Sequence, residues 1–288
     1  MADRRVQFDF DIEFSNGGSL KGEGFRLDIQ GADISDRALA DYIVRDLRLL
    51  MVGTVRIRNK TILTEPHKRP RSRLVDVSHE IEDGMITYRG LPGPSISDYW
   101  PREASRSHFA PGTEFHIGRI DMVANTGTYV DSPFHRHADG PDLAALPLES
   151  LADLPGVVVR AAGRAERGID VSALVGQEVR GKAVLLHTGW DVHWRTDRYF
   201  DGHPFLTRAG AKWLRDQGAA LVGIDSLNID DTSDPRRSAH TILLRASIPI
   251  AEHLCHLDRV PDAGFRFYAV PAKVRAFGTF PVRAFALV

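Results

Sequence analysis

Residues 125–137 read NTGTYVDSPFHRH, the densest run of site chemistry in the chain. It holds turn formers (Gly127, Pro133), hydroxyls (Thr126, Thr128, Tyr129), a carboxylate (Asp131) and two histidines (His135, His137). Alternate side chains of an extended strand share a face, so Asn125, Tyr129, Asp131 and His135 fall together if the chain is extended. Full extension separates residues 125 and 129 by roughly 13 Å, too far for both side chains to serve one ion. The chain is therefore expected to curl, and Gly127 is the residue free to take the turn. Read alone, Asp131 in Asp-Ser-Pro is also good turn chemistry, and His137 is expected at a rim.

Around this run lie short apolar, β-branched segments of strand length: GVVVRAA (156–162), KAVLLHTG (182–189), AALVGIDS (219–226) and FRFYAVPA (265–272). The pattern TRAGAKWLRDQ predicts a helix over 207–217 with Gly218 as its C′ residue. Many strands with few helices predict an α/β domain with a mixed rather than purely parallel sheet, beginning with RLVDVSHEI and covering residues 73–288. Upstream, VQFDFDIEF (6–14) alternates strictly, with Val6, Phe8, Phe10, Ile12 and Phe14 on one face. A Ser-Asn-Gly-Gly turn, a strand over 20–29, a helix over 36–50 capped by Ser35 and a strand over 52–58 complete a small ββαβ module in residues 1–66. It holds no cluster of His, Cys and carboxylates and reads as structural or interface-forming. The basic, proline-bearing EPHKRPRSR (65–73) reads as a linker.

Composition excludes several classes. Lys plus Arg number 37 against 38 Asp plus Glu, so nothing points to nucleic acid or an anionic membrane as partner. One cysteine, Cys255, rules out an intrachain disulfide. No apolar run of ~18 residues predicts a membrane span, and the N-terminus lacks the apolar core of a secretory signal. The expectation is a cytoplasmic protein acting on a small molecule.

Gly127, Thr128, Asp131, Pro133 and His135 match in register the signature His-x-Gly-Thr-His-x-Asp-x-Pro-x-His of the cyclase/kynurenine formamidase family of metal-dependent hydrolases. The chain resembles that family from about Arg73 to Val288. Further landmarks are HTGWD (187–191), HPFLT (203–207), VGIDSLNID (222–230) and HTILLRASIPIAEHLCHL (240–257), whose His240 and Glu252 match the family's second ligand segment. Asn125 and Tyr129 stand where the family has histidine ligands. The resemblance implies a swivelling β/β/α-type mixed-sheet fold, assembly as a homodimer or homotetramer, and hydrolysis of a small amide or lactam C–N bond assisted by zinc or manganese. It implies Asp131, His240 and Glu252 as metal ligands and His135 as proton shuttle, with Asn125 and Tyr129 orienting water or substrate. Three such ligands with an open fourth position satisfy the catalytic zinc pattern.

Two other readings stay open. A metal-independent cyclase or dehydratase would use Tyr129 as donor to an oxyanion and His135 as base. A binding pseudoenzyme would have kept the pocket and lost the metal. His187, His193, His203, His253 and His256 are expected at the surface or in packing, and Asp225 and Asp230 as loop-stabilising residues at least as readily as site residues. Tyr99 and Trp100 either wall the substrate pocket or pack their loop onto the core. One of Trp190 and Trp194 is expected in the core.

Overall fold

The computed structural model describes residues 3–65 and 73–288. The chain divides into two compact units, 1–72 and 73–288. The linker read over 65–73 falls almost wholly outside the described residues.

In the N-terminal unit β1 (Asp3–Phe14), β2 (Ser19–Ile29), α1 (Asp36–Asp46) and β3 (Val52–Glu65) form a three-stranded antiparallel sheet, order β2-β1-β3, with one helix. The alternation of β1 buries Val6, Phe8, Phe10 and Ile12 against Leu39 and Ile43 of α1. The helix stops four residues short of its apolar pattern. Leu47 caps it, Arg48 turns left-handed at φ 51, and Leu50 is left exposed. β3 runs seven residues beyond the expected 58, because β1 offers it partners as far as Glu65.

The C-terminal unit comprises β4 (Leu74–Asp76), β5 (Ser95–Trp100), α2 (Arg102–Ser105), β6 (Ile117–Asp121), β7 (Tyr129–Asp131), β8 (Leu154–Arg160), β9 (Gly168–Ile169), α3 (Val171–Leu174), β10 (Ala183–His187), β11 (Phe205–Leu206), α4 (Arg208–Gln217), β12 (Leu221–Ile224), α5 (Ser238–Arg245), β13 (Ile250–Glu252), β14 (Ala263–Tyr268), β15 (Thr279–Pro281) and β16 (Phe285–Leu287). Nine strands make one mixed sheet, β15-β7-β13-β12-β10-β8-β14-β16-β4. Strands β8, β10, β12 and β13 are parallel, and antiparallel strands flank them on both sides. Parallel strands need both faces covered, which explains their near-continuous apolar sequence. Val184, Leu186, Val222 and Ile224 pack under Ala211 and Leu214 of α4 and Leu243 and Leu244 of α5. On the other face Leu185, Val158 and Ala251 meet Val75, Phe265, Phe267 and Ala286 of the sheet's own outer strands. The sheet curls because residues 279–287 pair with β7 at one edge and then, as β16, with β4 at the other. The result is the expected mixed β/β/α layering. α4 ends as read from sequence, with Gly218 left-handed; at its other end Thr207, expected as its first residue, is instead its cap, the hydroxyl accepting from Gly210 N at 3.0 Å.

Candidate active site

Parallel strands leave their ligand sites at their carboxyl ends; β12 ends at Ile224, just before Asp225, and β13 ends at Glu252. Register does the rest. On β7, Tyr129 lies directly opposite Glu252 of β13, and Asp131 lies opposite Thr279 of β15. Cross-strand neighbours sit about 5 Å apart, so three non-local segments deliver side chains to one spot. The curl expected upstream of β7 is made at Gly127, whose φ is +65. Downstream, a 3-10 turn at Pro133–His135 brings His135 back to the group. A Cβ on Gly278 would lie 2.5 Å from His135 Cα, so only glycine permits this approach.

Asn125, Tyr129, His135, His240 and Glu252 all line one cavity of about 310 Å³, with Asn228 beside them. Asp131, fully buried, abuts it through His240. A wider depression of about 1050 Å³ passes His79, Trp194 and Arg259 and holds none of these residues, so size does not mark the site.

The Thr279 hydroxyl donates to Asp131 Oδ1 and lies 2.8 Å from His135 Nδ1. A hydroxyl has one proton, so Nδ1 carries the hydrogen toward Thr279, and Nε2 is left as the ring's acceptor. Asp131 Oδ2 is buried without a hydrogen-bond partner. Facing it at 3.5 Å is His240 Nε2, whose other nitrogen, Nδ1, is fixed by Asp230 Oδ2 at 2.7 Å. Asp230 also accepts from the backbone N–H groups of Ala239 and His240, so it caps α5 and orients the ring in one act. A histidine pinned by a carboxylate on one nitrogen and bare on the other is the usual setting of a metal ligand. Among the described residues, Asp131, His135 and His240 are the group whose donor atoms all lie within 4.8 Å of one another. The orphaned Asp131 oxygen and the bare His240 nitrogen fit a cation at that point.

Charge agrees. Burial opposes ionisation of Asp131, but His135, His240 and the Thr279 hydroxyl outweigh it and hold its pKa below the ordinary carboxylate value. Burial likewise opposes a charged His240, and Glu252, Asp131 and Asp230 together raise it to about 10. The carboxylates around His240 therefore favour positive charge there, which a protonated His240 supplies and which a cation between Asp131 and His240 would supply in its place.

Glu252 is beside the donor group and not in it: Oε1 lies 3.6 Å from His240 Nε2 and accepts from Ile229 N at 2.6 Å, and Oε2 accepts from Tyr129 at 2.7 Å and from Asn228 at 3.3 Å. Burial pushes its carboxyl up, to about 7. Tyr129 is no free acid either. Burial and then Glu252 and Asp131 raise its pKa well above 10, and its hydroxyl is held between Glu252 and His253 Nε2 at 3.3 Å. Tyr199 bonds His253 Nδ1 at 2.9 Å, which completes a buried chain Tyr199–His253–Tyr129–Glu252.

Of the two places expected for them, surface or packing, His253 and His203 take the second: both are fully buried and hydrogen-bonded, His203 donating to Asp230 O at 3.0 Å. Tyr99 is 72% exposed and Trp100 packs on His108 and Phe109, so neither walls the cavity; Tyr88 and Leu91 do. Trp190 and Trp194 are both only half-buried, Trp194 stacking on His79 at 4.0 Å, and Tyr199 takes the core position. For Asn228 and Asp230 the one available signal was the strand-end run VGIDSLNID, which contains them.

Comparison with known proteins shows the family and the fold. The family described as Putative cyclase matches residues 75–231, and the chain belongs to that family. Kynurenine formamidase of Bacillus anthracis is 27% identical over 217 residues, 74% of this chain and 96% of that protein. Isatin hydrolase A from Labrenzia aggregata, bound to benzyl benzoate, shares the fold with a TM-score of 0.66 at 20% identity, over 75% of this chain and 94% of that one. A predicted metal-dependent hydrolase from Bacillus stearothermophilus does so with a TM-score of 0.58 at 24% identity, over 76% and 99%.

Proposed function

We propose that this chain hydrolyses a C–N bond of a small amide or lactam, assisted by a divalent cation, zinc or manganese, held by Asp131, His135 and His240. The observation that carries the reading is the unpartnered Asp131 Oδ2 facing His240 Nε2 at the floor of the cavity. A cation bound there supplies Lewis acidity, polarising a carbonyl and making water acidic enough to attack. Three protein donors leave a position open for that purpose. Glu252 then takes the part the sequence assigned to His135. Lining the same cavity, with a pKa brought near neutrality by burial, it accepts the proton of the attacking water and returns it to the leaving nitrogen as the C–N bond breaks. Tyr129, Asn228 and Ile229 N hold that carboxylate in place. Asn125 orients the substrate from the cavity wall.

A second reading is favoured by the hydrogen bond that His135 Nδ1–H donates to the Thr279 hydroxyl. Without a cation, Asp131 and Thr279 orient His135 so that Nε2 serves as base in a cyclisation or dehydration. One residue cannot be both ligand and base, so a single experiment separates the two. Turnover of aryl formamides and a small lactam should require added zinc or manganese, vanish with chelator and vanish in Asp131→Ala. Turnover that survives chelation removes the cation's part and leaves His135 Nε2 as the base; no turnover of these substrates with metal added refutes the hydrolase reading.

No helix among the described residues is long and apolar enough to cross a membrane. Exposed Ile96, Ile117 and Ile120 on the β5–β6 hairpin support assembly as a homodimer or homotetramer.

A further inference from the structure

The mouth of the cavity carries two guanidiniums that have no carboxylate within 4.0 Å among the described residues, Asp234 acting on Arg237 only from beyond that distance. Arg136 and Arg237 both line it. Arg237 donates to Asp231 O at 3.4 Å and to the Tyr88 hydroxyl at 3.3 Å. Arg136 donates through Nε to Thr241 Oγ1 at 3.1 Å. Every one of these partners is neutral, and among the described residues neither guanidinium has a carboxylate within 4.0 Å. Neighbouring arginines are paired: Arg236 lies 2.9 Å from Asp234 and Arg245 lies 2.8 Å from Asp139.

The two are also placed deliberately. Thr241, the residue after His240, donates its hydroxyl to Arg237 O at 2.8 Å while accepting from Arg136 Nε. One hydroxyl therefore ties both arginines to the helix that carries His240. Arg237 precedes that helix in the left-handed region, at φ 47 and ψ 58. Bulky L-residues are uncommon there, and such strain gathers at ligand clamps. A glycine or asparagine would sit there unstrained, yet the chain keeps an arginine, half-buried over the cavity.

Charge divides the cavity. Asp131 and Glu252 make the inner end acidic, and the arginines make the mouth basic. A planar guanidinium fork matches a carboxylate. A volume of about 310 Å³ is at the small end for ligand pockets, and Tyr88 and Leu91 give the wall an apolar face.

We propose that Arg136 and Arg237 form a carboxylate subsite, so that the substrate of the hydrolase proposed above is a small anionic amide. Its carboxylate stays at the mouth, and its neutral C–N bond points inward. This deepens that functional reading and rests on it for the word substrate; the subsite itself rests only on the two arginines.

The test is binding, by calorimetry, of 2-formamidobenzoate and its neutral counterpart 2-formamidobenzamide to the full chain, in buffer containing chelator so that no metal can bind the carboxylate. The acid should bind about tenfold more tightly than the amide, the step of one charge-assisted pairing. That ratio should shrink with added salt and fall to about twofold or less in Arg136→Gln and in Arg237→Asn. Asparagine suits the left-handed backbone, and Arg136 is exposed, so at least one variant folds. Equal affinities in the natural protein, no binding of either compound at millimolar concentration, or a ratio unchanged in both variants overturns the subsite. Turnover of the same two compounds by metal-loaded protein is scored separately. A preserved binding ratio with no turnover sinks the hydrolase reading alone, and turnover with no preference for the acid sinks the subsite alone.

Discussion

Tyr129→Phe removes one oxygen atom and tests what that residue is for. The hydroxyl is fully buried, donates to Glu252 Oε2 at 2.7 Å and receives His253 Nε2–H at 3.3 Å. A hydrogen bond to a charged group contributes about 1.5–3 kcal/mol, and a buried donor left without an acceptor costs about 1–3 kcal/mol. Allowing for the more favourable burial of Phe, the unit 73–288 should lose about 3 kcal/mol, a large share of a typical 5–15. All four tryptophans lie in that unit, so their fluorescence in urea reports its unfolding separately from the N-terminal unit. With a slope of about 3 kcal/mol/M the midpoint should fall by about 1 M. Metal uptake should persist, because Tyr129 is a prop for Glu252 and not a donor to the ion. A loss below about 0.5 kcal/mol, or a loss of metal with unchanged stability, refutes the reasoning.

Gly278→Ala should displace His135, whose Cα lies 2.5 Å from the new methyl. A shift of about 1 Å costs on the order of 100-fold in kcat/KM, and a change within about twofold would show that this close approach does not position the ring. His253 is held neutral, its pKa driven down to about 3 by burial. The unfolded chain, with a pKa near 6.5, takes up the proton first, so this stability is complete above pH ~6.5 and lost as pH falls toward ~3, amounting to about 2 kcal/mol by pH 5. Urea titrations at pH 7 and pH 5 should show that loss, reduced in His253→Gln; an equal slope in both proteins contradicts the assignment. Asn125→His/Tyr129→His restores the two family histidines and should raise metal content from one to two per chain by mass spectrometry, whereas unchanged content would mean the local backbone no longer supports a second position.

The sequence revealed what depends on local pattern. β1 was visible because a half-buried strand must alternate, and α4 because its pattern runs up to Gly218, a residue suited to the left-handed turn that ends it. The mixed sheet followed from short apolar strands with few helices. The pairing of β7 between β13 and β15 was invisible, since its partners lie more than a hundred residues away and nothing local encodes register between them. The site divides the same way. Asp131, His135 and His240 stood out through the resemblance to the family's signature and second ligand segment. Asp230, Asn228, His253 and Thr279 act only through contacts made after folding, and each looks ordinary in its own segment. The proposed exchange of parts between His135 and Glu252 has the same cause. The family resemblance puts both near the site, and the contacts that support the exchange, three donors on Glu252 and the bond His135 Nδ1–H gives to Thr279, form only after folding.

The central claim stands on a cation between Asp131 and His240. Metal content of protein purified without chelator or added metal, set beside Asp131→Ala/His240→Ala, tests it most directly. About one equivalent of zinc, manganese or a similar divalent ion per chain, absent from the variant, is the predicted result. No ion in the natural protein and none taken up on titration, or the same ion retained by the variant, would contradict it.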